Sequence, residues 1–477
     1  MVGQTKPATA PGTAILLTIF LLAWVVRCAY ALALFAWLGD DGLKGTDSIV
    51  FVAQAQAFAD ALHAGTVSGS HWLGNASNTM PLYQWLTALP YYIFGQGGGI
   101  AYVLMQNAFD AGTCVLVFLL AGSLDRRLAW PAAMVAVLNP TQIVLSGIIY
   151  TDTPYTFFVT LSLYLAHRWM RAPDLPRAIA LGGALAATVL VRVTVAPWAF
   201  GAIVLLGTYA ALRHIPVRRA STIAVSAAIL ALSLGVISLR SYGQYGTFAL
   251  TPQGGEHFAL WIVPLAKETQ DRTPFVTSVE DIVRRTTERF GPRSTDPFEQ
   301  SRRFQQIGRE VLHDDIRIAS LVSSWASGIF INLVSPALLI SPPVSHLPRT
   351  GFYDTPGNSF AEKAFNYAFR SGNVTYSWLL MLGTAGLIAI RAIQLLGLAA
   401  LLAQRRFWPR IVFAGSWIAF LLLLNGPIAS PKYRLPLEPL FNIMTAAGMV
   451  AMAGLRRRSP LSVLKPESPG RPDSTAT

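Results

Sequence analysis

The stretch that decides the fold runs from residue 14 to residue 38 and reads AILLTIFLLAWVVRCAYALALFAWL. A helix needs roughly 20 mainly apolar residues to cross a bilayer, and here a single charged residue, Arg27, interrupts the apolar run. The run lacks the small-residue cleavage site that ends a secretory signal, so it predicts a retained membrane anchor. Further apolar runs follow at residues 100–124, 131–147, 155–165, 178–191, 195–212, 221–239, 376–402, 411–425 and 435–455.

The composition extends this conclusion to the whole chain of 477 residues. Hydrophobic residues make up 53% of the chain and charged residues 13%, whereas a soluble domain has about 25% charged residues. A disordered chain would be polar and rich in charge, and the glycines and prolines follow no three-residue collagen period. The sequence therefore predicts an all-α, polytopic membrane protein with about ten transmembrane helices.

The net charge of +13 comes from basic residues that gather between the apolar runs. In a soluble protein such an excess would suggest nucleic acid as a partner. Here it follows the positive-inside rule, by which Lys and Arg near span ends stay in the cytoplasm, and we predict no nucleic-acid partner. The basic clusters are Arg126 and Arg127; Arg168, Arg171 and Arg177; Arg213, Arg218 and Arg219; Arg405, Arg406 and Arg410; and Arg456 to Arg458.

Alternation of the spans from a cytoplasmic N-terminus divides the chain into four parts. Residues 1–239 form an N-terminal transmembrane module, whose first outer loop, residues 39–99, carries juxtamembrane helices and the candidate catalytic acid. Residues 240–374 form a large outer, periplasmic loop, and residues 375–456 contain the C-terminal transmembrane helices. Residues 457–477 are predicted to form a disordered cytoplasmic tail.

One apolar stretch, residues 318–340, does not fit this alternation. It is apolar enough to cross the bilayer, but a crossing there would place the basic cluster at Arg405 outside. We therefore predict that residues 318–340 lie in, or dip into, the outer leaflet.

The candidate chemistry lies in charged residues at the outer ends of the spans. The sequence contains no P-loop, paired-glycine dinucleotide fingerprint, CxxC or HExxH motif, so ATP hydrolysis, redox chemistry and zinc proteolysis lack a basis. Asp47 opens an apolar surface helix, where a partly desolvated carboxylate is suited to act as a general base. Asp152 lies at an outer turn on the same side, where it is suited to share an acceptor or a divalent cation. For both residues a helix cap is the alternative.

Four cations oppose the positive-inside trend, and they are Arg192, Arg240, Lys432 and Arg434. A phosphate at the outer membrane surface would explain their position. The alternative for each is a side chain that snorkels to lipid headgroups. A further charge, Asp110, lies within the second span, and we predict Arg27 of the first span as its partner.

Five segments, in this order, resemble the GT-C superfamily of membrane glycosyltransferases, especially the branch with protein O-mannosyltransferases and the lipid A aminoarabinose transferase. A single aliphatic segment is weak evidence, but their shared order and side of the membrane are more specific. The segments are GTDSIVFVAQAQAFA (45–59), MPLYQWLTALPYYIFG (80–95), LNPTQIVLSGIIYTDTPYTFF (138–158), SLRSYGQYGTFALTPQGGEHFALW (238–261) and KYRLPLEPLFNIMTAAG (432–448).

The resemblance implies transfer of a sugar from a polyprenyl-phosphate carrier to an acceptor. It makes Asp47 the base or acceptor-orienting acid, with Asp152 in support toward the acceptor or a metal. The cofactor is left open, and the one considered is a divalent cation held by these two carboxylates. The residues that the resemblance places against the substrates are Arg192, Arg240, Lys432, Tyr433, Arg434 and Tyr83.

Three residues depart from the family pattern. Phe51 stands where many relatives have a tyrosine, Ser48 follows Asp47 where the protein mannosyltransferases have a paired Asp and Glu, and Asp152 stands where numerous relatives carry Glu. These departures concern the class of acceptor more than the fold.

Together these features predict an inverting hexosyl- or pentosyltransferase of the cytoplasmic (inner) membrane, with its active site on the outer or periplasmic face. Its expected partners are a polyprenyl-phosphate sugar donor, an envelope acceptor (glycan, lipid or protein) and membrane lipids. Inversion is implied by the family's direct displacement. The alternatives are a membrane transporter or lipid flippase, and a polysaccharide polymerase or ligase. A transporter often has paired repeats with broken helices near the midplane, and no repeat stands out in this sequence.

Overall fold

The fold was obtained as a computed structural model, which describes residues 12–74 and 79–457. Within these residues the chain forms helices and turns and no strand, so the predicted all-α class is confirmed. The predicted disordered tail lies, from residue 458 onward, outside the described residues.

Helices α1 to α12 form the N-terminal module. They are α1 (Thr13–Leu38), α2 (Ser48–Ala64), α3 (Gly69–Leu73), α4 (Pro81–Phe94), α5 (Gly98–Leu124), α6 (Arg126–Val137), α7 (Pro140–Ser146), α8 (Asp152–Arg171), α9 (Leu175–Val191), α10 (Ala196–Leu212), α11 (Val217–Ala220) and α12 (Ile223–Tyr245).

Helices α13 to α19 lie in residues 240–374, the segment predicted to form the large outer loop, and α20 to α22 are C-terminal. They are α13 (Gln253–His257), α14 (Val263–Asp271), α15 (Phe275–Phe290), α16 (Pro297–Asp315), α17 (Ile318–Val334), α18 (Pro342–Ser345), α19 (Phe360–Phe369), α20 (Val374–Leu402), α21 (Trp408–Asn425) and α22 (Glu438–Arg457). A 3₁₀ turn, Pro431–Leu437, leads into α22.

Seven helical segments of the described chain are long and apolar enough to cross a membrane, or up to nine when each of two bent helix pairs counts as one span. The chain is thus polytopic, as predicted, but the number of ten is not confirmed. The helix α4, expected on the membrane surface, continues through a 3₁₀ turn into α5 as the single segment Pro81–Leu124, which leaves the count unchanged. One reason for the lower count is that α8, which contains the predicted span 155–165, is not among the candidate spans of the described chain. Another is that α9 is a shorter apolar helix.

One predicted apolar stretch is bent in the structure, and another follows a sharp bend. The stretch 131–147 divides into α6 and α7, which meet at 47°. Asn139 starts α7 by accepting hydrogen bonds from the backbone N–H groups of Thr141 and Gln142, and Pro140 is favourable at the first helical position. The stretch 318–340 contains α17, bent by 114° from α16. Its location in the outer leaflet stays a prediction.

Small residues allow the C-terminal helices α20 and α22 to approach closely. A Cβ atom on Gly397 would lie 1.9 Å from the carbonyl oxygen of Met444, and one on Gly448 would lie 2.2 Å from that of Ile393. Close backbone approach through small residues is typical of helix association in membranes. This contact fixes the position of α22, which follows directly from the segment that carries Lys432.

A buried ion pair joins α1 to α5, as the sequence predicted. The guanidinium of Arg27 donates to the carboxylate of Asp110, and both side chains are almost fully buried. Arg27 also donates to the carbonyl oxygens of Ala136 and Val137 in α6, at 3.1 Å each. The other carboxylate oxygen of Asp110 accepts from Gln142 Nε2 at 2.9 Å. The pair therefore ties α1, α5, α6 and α7 together inside the bundle.

We predict that Arg27→Met and Asp110→Leu each lower the free energy of unfolding by about 3–5 kcal/mol, because each leaves an uncompensated buried charge. The double variant should lose less than the sum of the two, since neither charge then remains. Thermal unfolding in detergent micelles measures all three. Asp125→Asn, at an exposed helix cap, is the control, and additive losses would contradict the pairing.

Candidate functional site

The loop that carries Asp47 is pinned to the turn that precedes α8. The buried hydroxyl of Ser48 donates to the carbonyl oxygen of Ile149 and accepts from the N–H of Gly45, both at 2.8 Å. The N–H of Ile149 donates to the carbonyl oxygen of Leu43 at 2.9 Å. These bonds bring Asp47 to the same end of the bundle as Asp152. They also explain Ser48, because a carboxylate cannot donate to a carbonyl oxygen.

Gly45 leaves space for the aromatic ring of Tyr150 beside the site. A Cβ atom at this position would lie 1.7 Å from the hydroxyl oxygen of Tyr150, so a larger residue would displace the tyrosine. The ring of Tyr150 lies 5.2 Å from the ammonium of Lys432. Gly45 thus sets the position of a ring that contacts one of the predicted cations.

Asp47 contacts Lys432 across the site. Asp47 occupies the N-cap position of α2, but within the described residues its carboxylate makes no capping hydrogen bond. It accepts instead from the ammonium of Lys432. The Asp47 side chain is 48% exposed and that of Lys432 is 13% exposed. Burial alone would raise the pKa of the Asp47 carboxyl, but the charge and hydrogen bond of Lys432, with Arg192 beyond it, hold this pKa below its ordinary value.

Asp152 forms the second ion pair of the site. Its carboxylate accepts from Arg192 Nη1 at 2.6 Å, and its side chain is 4% exposed. The N-cap residue of α8 is Thr151, which makes no side-chain capping hydrogen bond. The carboxylate of Asp152 contacts Arg192 instead, so Asp152, like Asp47, does not serve as a helix cap among the described residues. Arg192 reaches this position because its own backbone is extended at the end of α9, before a 3₁₀ turn, Val193–Val195, leads into α10.

Tyr433 lies between the two cations. Its ring centre is 5.5 Å from Lys432 Nζ and 5.8 Å from Arg192 Cζ. An aromatic face attracts a cation, so the ring allows two like charges to approach each other. Asp47, Lys432, Tyr433, Arg192 and Asp152 thus form one connected set, the charge cluster. Its two carboxylates balance its two cations, and its exposed carboxylate and nearby cations are suited to a substrate that carries both a hydroxyl and a phosphate.

Arg434 and Arg240 lie apart from the charge cluster. Arg434 is 1% exposed and its guanidinium is fully engaged, since it pairs with Glu438 at 2.6 Å and donates to Thr141 and to carbonyl oxygens at the end of α17. Arg240 donates to the carbonyl oxygens of Leu73 and Gly74. In these positions Arg434 supports the segment that carries Lys432, and Arg240 attaches α12 to the first outer loop.

Tyr83 is fully buried beside the site. Its ring packs edge-on against Phe51, with ring centres 5.0 Å apart, and against Tyr102 at 6.1 Å. Among the described residues its hydroxyl oxygen has no hydrogen-bond partner. Phe51, where many relatives carry a tyrosine, therefore contributes an apolar ring to the packing beside Asp47.

Several residues of the site were not identified from the sequence. Tyr150 and Tyr155 place their rings against Lys432 and Arg192, and Glu438 pairs with Arg434. His257 lies near the charge cluster, and the surrounding protein together with the charges of Arg192 and Lys432 lowers its pKa. Tyr150 lies two residues before Asp152, and Glu438 lies four residues after Arg434. His257 lies in the segment 238–261, which resembles the family. Proximity in sequence to the predicted site residues was therefore the signal that could have identified them.

A divalent cation was considered for Asp47 and Asp152. Among residues 12–74 and 79–457, no group of three or more His, Cys, Asp or Glu side chains is arranged to hold a metal ion. Each of the two carboxylates already contacts a cationic side chain. The mechanism proposed below therefore uses no metal ion, and the divalent cation stays a prediction.

The chain is similar to known proteins in sequence and in fold. The sequence model of the dolichyl-phosphate-mannose-protein mannosyltransferase family matches residues 78–239. The archaeal oligosaccharyltransferase AglB from Archaeoglobus fulgidus, solved with an inhibitory peptide and a dolichol-phosphate, superimposes with a TM-score of 0.50 at 13% identity over 95% of this chain. The chain has the GT-C fold. The resemblance seen in the sequence is thereby confirmed as a likeness of fold.

The GT-C fold occupies part of the larger relative, since this chain spans 52% of AglB. ArnT from Cupriavidus metallidurans is also similar: the structure bound to undecaprenyl phosphate has 15% identity and a TM-score of 0.38 over 95% of this chain and 80% of ArnT. The apo structure of ArnT has 14% identity and a TM-score of 0.36, over 91% of this chain and 76% of ArnT. No curated protein matches the sequence significantly.

We predict that Lys432→Gln raises the pKa of Asp47, because burial is then opposed by the charge of Arg192 without that of Lys432. A carbodiimide modifies a protonated carboxyl group, so Asp47 should react at a higher pH in the variant than in the wild type. Mass spectrometry of the labelled peptide across about pH 4 to 7 measures this. Asp41, exposed in the same segment, should react identically in both proteins, and an unchanged profile at Asp47 would contradict the ion pair.

Proposed function

We propose that this protein transfers a sugar from a polyprenyl-phosphate-linked donor to a hydroxyl-bearing envelope acceptor. The observation that carries the proposal is the charge cluster, in which residues from four distant segments place one exposed carboxylate beside two cations held by aromatic rings. The GT-C fold supports it. So does the dolichol-phosphate in the AglB structure, and the description of the family that matches residues 78–239.

The donor phosphate binds Lys432 and Arg192. This contact draws the Lys432 ammonium away from Asp47, so the carboxylate loses the charge that depresses its basicity. Donor binding thus prepares the base for the next step. Asp152 stays behind Arg192 and holds the guanidinium toward the phosphate.

In the transfer step the acceptor hydroxyl oxygen attacks C1 of the sugar. A bond forms between that oxygen and C1, the bond between C1 and the phosphate oxygen breaks, and the hydroxyl proton passes to Asp47. The electron pair leaves on the polyprenyl phosphate, whose additional negative charge is stabilised by Lys432 and Arg192. Arg434 and Arg240 act indirectly, by holding the segments on which the site is built.

The transfer is a single displacement that inverts the anomeric carbon. A double displacement uses a second carboxylate as nucleophile about 5 Å from the acid–base residue. Asp152 is the neighbouring candidate for that role, and its burial against Arg192 supports a single step. The anomeric configuration of a hexosyl or pentosyl product, read by NMR, tests this point.

The enzyme lies in the cytoplasmic membrane with the charge cluster on its outer face. The helix α8 runs from Asp152 to Arg171, at one end next to the charge cluster and at the other next to a basic cluster. Arg410 donates to the carbonyl oxygen of Ser123, so basic clusters from distant helices meet at that second end. By the positive-inside rule the second end is cytoplasmic.

We expect Asp47→Asn to lower the transfer rate by about 10²–10⁴-fold, because the general base is lost. Donor affinity should be kept or increased, since Lys432 then has no competing carboxylate. Purified protein in nanodiscs, with radiolabelled polyprenyl-phosphate sugars and an envelope extract, measures both quantities. Asp41→Asn is the matched control. Movement of the lipid across the bilayer without transfer would favour a transporter or flippase instead.

Lys432→Met should weaken donor binding by about 10–100-fold, the effect of losing one charge-assisted hydrogen bond. The salt dependence of donor binding should also become shallower, because one cation fewer contacts the phosphate. Titration with the polyprenyl-phosphate sugar at several salt concentrations measures both. An Arg434→Gln protein that remains folded but loses donor affinity equally, without loss of stability, would place the phosphate elsewhere.

A further inference from the structure

A cavity of about 750 Å³ lies within the large outer loop, apart from the charge cluster. Its walls come from α14, the start of α15, α17 and the segment 352–363, and Pro427 completes them. Its volume falls in the range of ligand pockets, about 300–1,000 Å³. The mechanism above does not use this cavity.

One wall of the cavity is a row of hydroxyl groups. Ser320, Ser323, Ser324 and Ser327 follow the three- and four-residue spacing that places side chains on one helix face. Ser320 donates to Gln270 at 2.6 Å, but in the described part of the chain the other three hydroxyls have no hydrogen-bond partner. These groups are therefore available to a ligand.

Other lining residues of the cavity are aromatic. The rings of Phe275 and Tyr353 stack with their centres 5.3 Å apart, and Phe352 and Phe360 also line the space. Ring faces offer apolar surface, which suits the C–H face of a sugar ring, while the serine hydroxyls suit its hydroxyl groups. The charges in the wall favour a neutral ligand, because Lys363 is paired with Glu268 and the two other charged lining residues, Arg272 and Asp354, are of opposite sign.

The cavity shares a wall with the segment that carries Lys432. The Tyr353 hydroxyl contacts both the carbonyl oxygen and the N–H of Ala429, each at 3.2 Å. Asn332, on α17, donates to the carbonyl oxygen of Ile428 at 3.0 Å and accepts from the N–H of Ser430 at 2.8 Å. A ligand in the cavity therefore lies next to a segment that ends, two residues later, at Lys432.

We propose that this cavity binds a neutral, polyhydroxylated acceptor, that is, a glycan rather than a protein or a phosphorylated lipid. The assignment rests on the proposed function, since it names the molecule whose hydroxyl oxygen displaces the polyprenyl phosphate from C1. The hydroxyl wall and the aromatic wall bind the units of the glycan that do not react.

Transfer experiments test the assignment with a tryptophan placed in the cavity. Ser323→Trp fills the space from an exposed position on the serine face, and Ala326→Trp, also exposed on α17 but outside the cavity, is the matched control. The acceptor probes are three fractions of an envelope extract: oligosaccharides released by mild acid, proteins and lipids. We expect label in the oligosaccharides, a KM for them raised at least about tenfold by Ser323→Trp, and unchanged kcat and donor affinity. Label in protein or lipid alone would overturn the assignment.

A binding measurement separates this inference from the proposed function. Saturation-transfer NMR with the oligosaccharide fraction needs no donor and no turnover. Binding by the wild type and Ala326→Trp that is lost in Ser323→Trp supports the cavity as a glycan site even if no donor is consumed, a result that would contradict the transferase proposal. Absence of binding, or equal binding by all three proteins, overturns the inference.

Discussion

The structure depends on one constraint, which is that a charge among apolar helices must be paired. The polar side chains inside the bundle meet it together, in an unbroken series of hydrogen bonds that crosses from the first helix to the last. It begins at membrane depth and ends two residues from the lysine of the site. The series runs through Arg27, Asp110, Gln142, Asn442, Asn139, Glu438 and Arg434. The same requirement that holds the helices together therefore also positions the charge cluster.

The charge cluster meets the constraint differently, because its charges must remain available. Asp47 is half exposed whereas Asp152 is buried, so two chemically identical groups have different surroundings. Asp152 fixes Arg192 in place, and Asp47 stays open on one side. The aromatic rings of Tyr150, Tyr155 and Tyr433 surround the cations with weakly polar surface, where electrostatic contacts are stronger than in water.

The sequence predicted the class, the superfamily and the pairing of Arg27 with Asp110, because each follows from local hydropathy, charge or segment order. It did not predict the count of spans, since two predicted spans lie in α8 and α9, of which α8 carries polar residues along its length and α9 is a shorter apolar helix. It grouped Arg434 with Lys432, although the two side chains point to different surroundings. Lys432 and Arg434 lie in one 3₁₀ turn, Pro431–Leu437. The ion pair of Arg434 with Glu438, rather than the residue type, gives Arg434 its different surroundings. The cavity of the large loop was also beyond prediction, because its walls come from segments far apart in the sequence.

The contact between Asp47 and Lys432 joins residues 385 positions apart. Contacts of such sequence separation form late, because the intervening chain must first be ordered. During synthesis the carboxylate therefore emerges long before its cation, and the first helices pack without a completed site. The proposed transfer therefore cannot begin before the segment that carries Lys432 is in place. The order of synthesis by itself would thus delay that activity, without a separate inhibitory segment.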